Sequence, residues 1–273
     1  MLPRRSTSSM SYIIPAGMLP ELECLDRVIP IVRAAGALVM EVYATAFEVA
    51  AKHDRSPVTE ADHRAEALIE AALARLTPEV PIVCEEAVGA GRIPTLAERF
   101  WLVDPLDGTR EFIARNGEFT VNVALVSTRR AVLGVVFAPA QGRLFAAVAG
   151  TQAFVEDGSG RRAPLRCRRP PSTGLTVVSS RSHGDEAALD AYLGGRPVAA
   201  RRSVGSSLKF CLVASGQADL YPRFGRTMEW DTAAGHAILD AAGGRVTDLE
   251  GVELRYGKLG LANPPFVACG APA

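Results

Sequence analysis

The sequence predicts an α/β protein built as an α+β half followed by an α/β half, after a disordered tail over residues 1–20. Three observations carry that reading. Two stretches of helical period open the ordered chain, a series of short apolar runs separated by turn residues follows, and strands then alternate with helices beyond a crossing rich in Gly, Arg and Pro. The crossing, 151–173, ends in Pro170 and Pro171, and the boundary placed toward its end gives halves of 21–169 and 170–273.

Composition sets the outer limits. The 273 residues carry 30 Lys+Arg against 30 Asp+Glu, so there is no basic excess to bind nucleic-acid polymers, and 48% hydrophobic residues is ordinary for a globular chain. Cys24, Cys84, Cys167, Cys211 and Cys269 are scattered without a CxxC pair, which argues against a disulfide framework or zinc site and fits a reducing cytoplasm. Arg4 and Arg5 precede a stretch broken by Pro15, Gly17 and Pro20, read as a tail rather than a signal peptide. The most apolar segment, 34–51, contains Glu41 and Glu48, so no transmembrane span is expected.

In chain order, Leu25, Val28, Ile29, Val32, Val39, Met40, Tyr43 and Phe47 recur at helical spacing and predict a helix from Glu21 to about Ala50, with a break near Pro30 or Gly36. Residues 52–59 are polar, contain Pro57 and read as a loop. Thr59 is placed to cap a second helix, 60–76, with Asp62 in its first turn and Thr77-Pro78 at its end. Residues 81–84 form a short strand that runs into Glu85 and Glu86. Strands over 119–126, 131–137 and 144–148 read as an antiparallel meander. In the second half, strands are expected at 175–179, 218–221, near Val246 and near Phe266. Helices are expected over 185–193, 206–214 and 232–242, with Asp231 as N-cap or first-turn acid of the last.

The densest chemistry lies in Trp-Leu-Val-Asp-Pro-Leu-Asp-Gly-Thr, 101–109. Pro105 biases Asp104 toward an extended conformation at the strand end. Asp107 can share its concave side, Gly108 allows close backbone approach, and a helix starting near Thr109 would turn its free N–H groups toward an anion. Paired hard oxygen ligands beside an anion seat suit Mg²⁺ bridged to phosphate. Taken alone, the run equally describes a strand end closed by a solvated Asx turn.

Four pieces align: Val58-Thr59-x-x-Asp62, Glu85-Glu86, Asp104-Pro105-Leu106-Asp107-Gly108-Thr109, and Trp230-Asp231-Thr232-Ala233-Ala234-Gly235. In this order they resemble the lithium-sensitive, magnesium-dependent phosphatases of the inositol monophosphatase superfamily. The stretches 115–122, 180–183, 205–211 and 221–225 narrow the likeness to bacterial 3′(2′),5′-bisphosphate nucleotidases of the CysQ type. The resemblance implies a layered αβαβα sandwich of the sugar-phosphatase type, with a metal-binding first domain and a substrate-binding second one. It implies two or more Mg²⁺ ions: one on Glu85, Asp104 and the Leu106 carbonyl, another on Asp104, Asp107 and Asp231. Asp62 and Thr109 would orient and deprotonate the attacking water, and the N–H groups of Gly108 and Thr109 would receive the scissile phosphate. His183, Ser206, Lys209 and Arg223 would contact the nucleotide. The implied reaction removes the 3′-phosphate of adenosine 3′,5′-bisphosphate to leave AMP, in sulfur metabolism. An inositol or sugar monophosphatase and a non-catalytic nucleotide-binding protein are the alternatives. The likeness leaves open a monomer or a homodimer, and a cytoplasmic protein free or peripheral to the inner membrane. Cys84 departs from the small Gly or Ser usual before the paired Glu residues, and exposure there would invite oxidation.

Overall fold

A computed structural model describes residues 20–51, 57–181 and 185–270. In chain order the first half contains α1 (Glu21–Tyr43), the small hairpin β1 (Ala50–Ala51) and β2 (Pro57–Val58), α2 (Glu60–Leu76), β3 (Ile82–Cys84), α3 (Glu85–Gly89), β4 (Arg99–Asp107), α4 (Thr109–Ile113), β5 (Thr120–Ser127), β6 (Arg130–Ala138), β7 (Arg143–Val148), β8 (Phe154–Glu156) and β9 (Arg162–Pro164). The second contains β10 (Leu175–Ser180), α5 (Glu186–Leu193), β11 (Val198–Val204), α6 (Leu208–Ala214), β12 (Leu220–Arg223), β13 (Thr227–Met228), α7 (Glu229–Ala241), β14 (Arg245–Asp248), β15 (Ala262–Asn263) and β16 (Phe266–Cys269).

Strands β3 to β9 lie in sequence order in one sheet, antiparallel except for the parallel β3–β4 pair. The expected meander is its centre. Because side chains alternate across a strand, β4 sends Trp101 and Val103 to the cluster formed with α1 and α2, and Phe100 and Leu102 to the opposite cluster with α6 and α7. A sheet covered on both faces explains why its strands read as nearly unbroken apolar runs. Beyond α6 and α7 lies the second sheet, order β11-β10-β12-β16-β14, whose far face packs Val177, Leu220 and Val267 against Leu189 and Leu193 of α5. The result is the αβαβα layering. One apolar cluster runs from the first sheet through α6 and α7 to the second, and the chain crosses between sheets from Pro164 to Leu175.

Several expectations need correction. α1 runs unbroken through Pro30 and Gly36 and stops at Tyr43 rather than near Ala50. Pro30 faces solvent, where the carbonyl deprived of its helical donor can be hydrated. At the C-terminus the Arg115 guanidinium donates to the carbonyls of Tyr43 and Thr45 and lies over the rings of Tyr43 and Phe47, so Phe47 keeps its apolar contacts without being helical. Part of the expected 52–59 loop is strand β2; residues 52–56 lie outside the described residues, as does the 1–19 part of the expected tail. α7 begins three residues before Thr232, which puts Asp231 inside its first turn, with Oδ2 accepting from the Met228 N–H at 2.8 Å. Strand β11 was not expected. Among the described residues no helix is long and apolar enough to cross a membrane.

The histidine of α7 gives a pH-dependent prediction. His236 is buried, its Nδ1 lies 2.9 Å from the Tyr256 hydroxyl, and burial together with the nearby Arg130 and Arg255 lowers its pKa to about 3. The folded protein therefore holds it neutral, whereas the unfolded chain protonates it below about 6.5. Its contribution is fully present above pH 6.5 and is lost as pH falls toward 3, at about 1.4 kcal/mol per pH unit. His236→Gln, which can still hydrogen-bond Tyr256, is expected to lose less stability between pH 6.5 and 5 than the parent in metal-free urea titrations; parallel pH profiles would count against this account.

Candidate active site

The site lies in a cleft of about 260 Å³ between the two halves, lined from the first by Glu85, Asp104, Asp107 and Thr109 and from the second by Ser206, Lys209, Arg223 and Asp231, among others. Three carboxylates converge there from three elements. Glu85 opens α3, Asp104 lies on β4 and Asp231 stands in the first turn of α7, and each offers an oxygen within 4.8 Å of the others'. The β4 backbone breaks register with β5 between Asp104 and Asp107, at Pro105, so the strand carries both acids to the cleft instead of alternating one away. Asp104 is 1% exposed and accepts from the Leu106 N–H at 3.1 Å.

Asp107 lines the same cleft but is tied to its wall. Its Oδ2 accepts from the Ser207 N–H at 2.5 Å and from Asn122 Nδ2 at 3.3 Å. Burial pushes its carboxyl up to about 6, against the pull of Lys209 and of the Ser207 N–H. Asp231 is held well above the usual carboxylate range, first by burial and then by the Asp107 and Glu85 charges. At Asp107 and Asp231 the nearby Lys209 and Arg223 charges offset the cost of burial and of neighbouring acids only in part. Three hard oxygen donors so arranged suit a divalent cation such as Mg²⁺.

Beside this cluster, Gly108 precedes α4 with φ at +90°, and a Cβ there would meet the Glu118 carbonyl at 3.1 Å and Ser206 Cβ at 3.2 Å. That turn sets Thr109, whose hydroxyl lies 3.4 Å from Asp62 Oδ1 and 3.3 Å from the Leu106 carbonyl. Asp62 Oδ2 is occupied by the N–H and hydroxyl of Thr59, each at 2.8 Å, so the capping box of α2 also orients the carboxylate that faces Thr109.

The expected nucleotide contacts divide. Ser206 lines the cleft with φ at +53°, its hydroxyl 3.0 Å from that of Thr120. The Lys209 ammonium is buried, donates to the carbonyls of Val204 (3.1 Å) and Ser206, and lies 5.2 Å from the Tyr221 ring centre. Burial lowers its pKa to about 8, the Asp107 carboxylate opposing. Arg223 lines the cleft and donates to the Arg226 carbonyl at 3.1 Å. His183 lies outside the described residues. Cys84 is buried and desolvation drives its thiol pKa far up, so the exposure on which an oxidation liability would depend is not met.

Sequence reasoning missed Glu66. It is 5% exposed, sits one turn after Asp62 on the buried face of α2, and burial pushes its carboxyl up to about 7, against two backbone N–H bonds from Glu86 and Ala87. The available signal was two acids at i, i+4 on the stripe otherwise made of Ala61, Ala65, Ile69 and Leu73. Asn122 and Ser207, which hold Asp107, lie inside the stretches 115–122 and 205–211, where nothing local marks them as its partners.

The inositol monophosphatase family model matches residues 21–268. The chain belongs to the inositol monophosphatase family. It is 48% identical over 234 residues to the 3′(2′),5′-bisphosphate nucleotidase CysQ of Escherichia coli strain K12, covering 85% of this chain and 93% of that one. The protein of the same name from Salmonella typhimurium is 49% identical over the same shares. Among solved structures, CysQ from Bacteroides thetaiotaomicron, described as a bacterial member of the family, superposes with a TM-score of 0.77 at 36% identity over 92% of this chain and 98% of that one. An inositol monophosphatase from Thermotoga maritima superposes with a TM-score of 0.75 at 27% identity, over 90% and 92%. Enzymes of this family are metal-dependent, in keeping with the acidic cluster.

Proposed function

We propose that this chain is a Mg²⁺-dependent 3′(2′),5′-bisphosphate nucleotidase that hydrolyses the 3′-phosphate of adenosine 3′,5′-bisphosphate to AMP, in sulfur assimilation. The observation that carries the reading is the convergence of Glu85, Asp104 and Asp231 beside the Thr109–Asp62 pair. The likeness to CysQ nucleotidases across most of both chains supports the choice of substrate.

Glu85, Asp104, Asp107, Asp231 and the Leu106 carbonyl would hold two Mg²⁺ ions. When bound, these supply charge neutralisation for the phosphoryl oxygens and acidify water. The chain's own groups do the rest. Thr109 Oγ1 accepts a proton from the attacking water and passes its own to Asp62 Oδ1, the carboxylate oxygen that faces it while Oδ2 accepts from Thr59. The N–H groups of Gly108 and Thr109 seat the scissile phosphate. Ser206, Lys209 and Arg223, with His183, meet the nucleotide, Lys209 also bracing the turn that bears Ser206.

Phosphate release from adenosine 3′,5′-bisphosphate and inositol 1-phosphate, each with and without Mg²⁺, tests this. The expected result is Mg²⁺-dependent turnover with kcat/KM for the nucleotide at least tenfold higher. Preference for inositol 1-phosphate would make the chain a sugar-alcohol monophosphatase, and no release from either would leave a binding protein.

A further inference from the structure

α3 is five residues long, too short to hold itself in place. Its N-cap, Cys84, provides no side-chain hydrogen bond. The N–H groups of its first turn, which have no acceptor within the helix, are met instead from another helix: Glu66 Oε2 accepts from the Glu86 N–H at 2.7 Å and Oε1 from the Ala87 N–H at 2.9 Å. These bonds grip the backbone immediately after Glu85. Glu66 stands four residues after Asp62 on the same buried face of α2. A single helix therefore carries the acid that faces Thr109 and the clamp on the element that presents Glu85.

We propose that Glu66 is a positioning residue whose two-oxygen grip on the first turn of α3 fixes where Glu85 offers its carboxylate to a divalent cation. The inference rests on the metal-dependent reading above. Burying a carboxylate costs desolvation free energy that two charge-assisted bonds offset only in part. What the arrangement gains is registration, since the Glu85 side chain moves with the turn that Glu66 holds. Groups that orient metal ligands from behind change metal affinity by roughly 10–100-fold when altered.

The test titrates the metal-free full chain with Mn²⁺ by calorimetry and, separately, measures the Mg²⁺ concentration for half-maximal hydrolysis and kcat at saturating Mg²⁺. Glu66→Gln retains the shape and one carbonyl acceptor but loses the second bond and the charge; Glu66→Leu loses both bonds. The expected result is about a tenfold weaker Mn²⁺ affinity for Gln and a larger loss for Leu. Half-activation by Mg²⁺ should shift in parallel, with kcat at saturation within about threefold of the parent. Glu66→Asp, which restores the charge on a shorter arm, should recover part of the affinity, and it serves as the readout if Leu fails to fold. A lower melting temperature with unchanged Mn²⁺ affinity in Gln and Asp would overturn the proposal and leave Glu66 a structural cap. Failure of the metal-dependent reading is distinguishable, because it would appear in the parent as no Mn²⁺ binding or no Mg²⁺-dependent turnover, before any variant is compared.

Discussion

Asp104→Asn is expected to lower Mg²⁺-dependent phosphate release by roughly three orders of magnitude or more, while the metal-free protein melts at the same temperature as the parent or higher. The two halves of that result have one cause. Asp104 belongs to a group of three acids whose oxygens lie within 4.8 Å of one another, a spacing at which ionised carboxylates repel. Removing one like charge relieves repulsion, and Asn keeps an oxygen for the Leu106 N–H that Asp104 now binds. The site is thus a place where the fold tolerates local instability for function. The same substitution removes a hard anionic ligand, so the rise in melting temperature that Mg²⁺ should give the parent is expected to shrink or vanish in the variant. Melting curves with and without Mg²⁺ separate this from misfolding. Near-normal turnover, or a metal-free melting temperature several degrees lower, would contradict it.

Much of the site was legible because its chemistry is local. Pro105 between two acids, Thr59 three residues before Asp62, and Asp231 at the head of an Ala- and Gly-rich helix each write their geometry into a few adjacent residues. The fold class was legible because a sheet covered on both faces gives apolar strands with clear breaks. What could not be read depends on partners remote in sequence. α1 stops at Tyr43 because Arg115, from the loop after α4, caps it. α7 starts at Glu229 because that buried carboxylate accepts the N–H groups of Gly257 and Lys258 and pairs with the Lys258 ammonium at 2.7 Å; in sequence it reads as one more polar residue before a helix. β11 contains Ala-Ala-Arg-Arg-Ser without apolar alternation, and it is a strand because β10 pairs beside it in parallel while Arg201 reaches Glu186 and Asp190 of α5. The role of Glu66 was hidden for the same reason, since nothing near it in the chain marks the backbone it holds.

Gly134→Ala is expected to be among the most damaging single-methyl additions outside the cleft. Gly134 sits in β6 where α7 crosses, and a Cβ there would lie 2.3 Å from the Ala234 carbonyl oxygen and 3.0 Å from that residue's carbonyl carbon and Cα. All three atoms are backbone, so no side chain can rotate away and the helix must shift. Overpacking of this kind costs about 3 kcal/mol. The damage should extend to function, because Asp231 lies on α7 three residues before Ala234 and moves with it. The expected result is a melting temperature lower by several degrees, together with weaker Mn²⁺ affinity in calorimetry at a temperature where the variant is still folded. Gly89→Ala supplies the contrast: its added Cβ meets nothing within 4 Å and its φ lies outside the left-handed region, so the melting temperature should hold or rise slightly. Equal effects of the two substitutions would mean that α7 does not rest on β6 at this point, and the delivery of Asp231 to the acids of the first sheet would need another explanation.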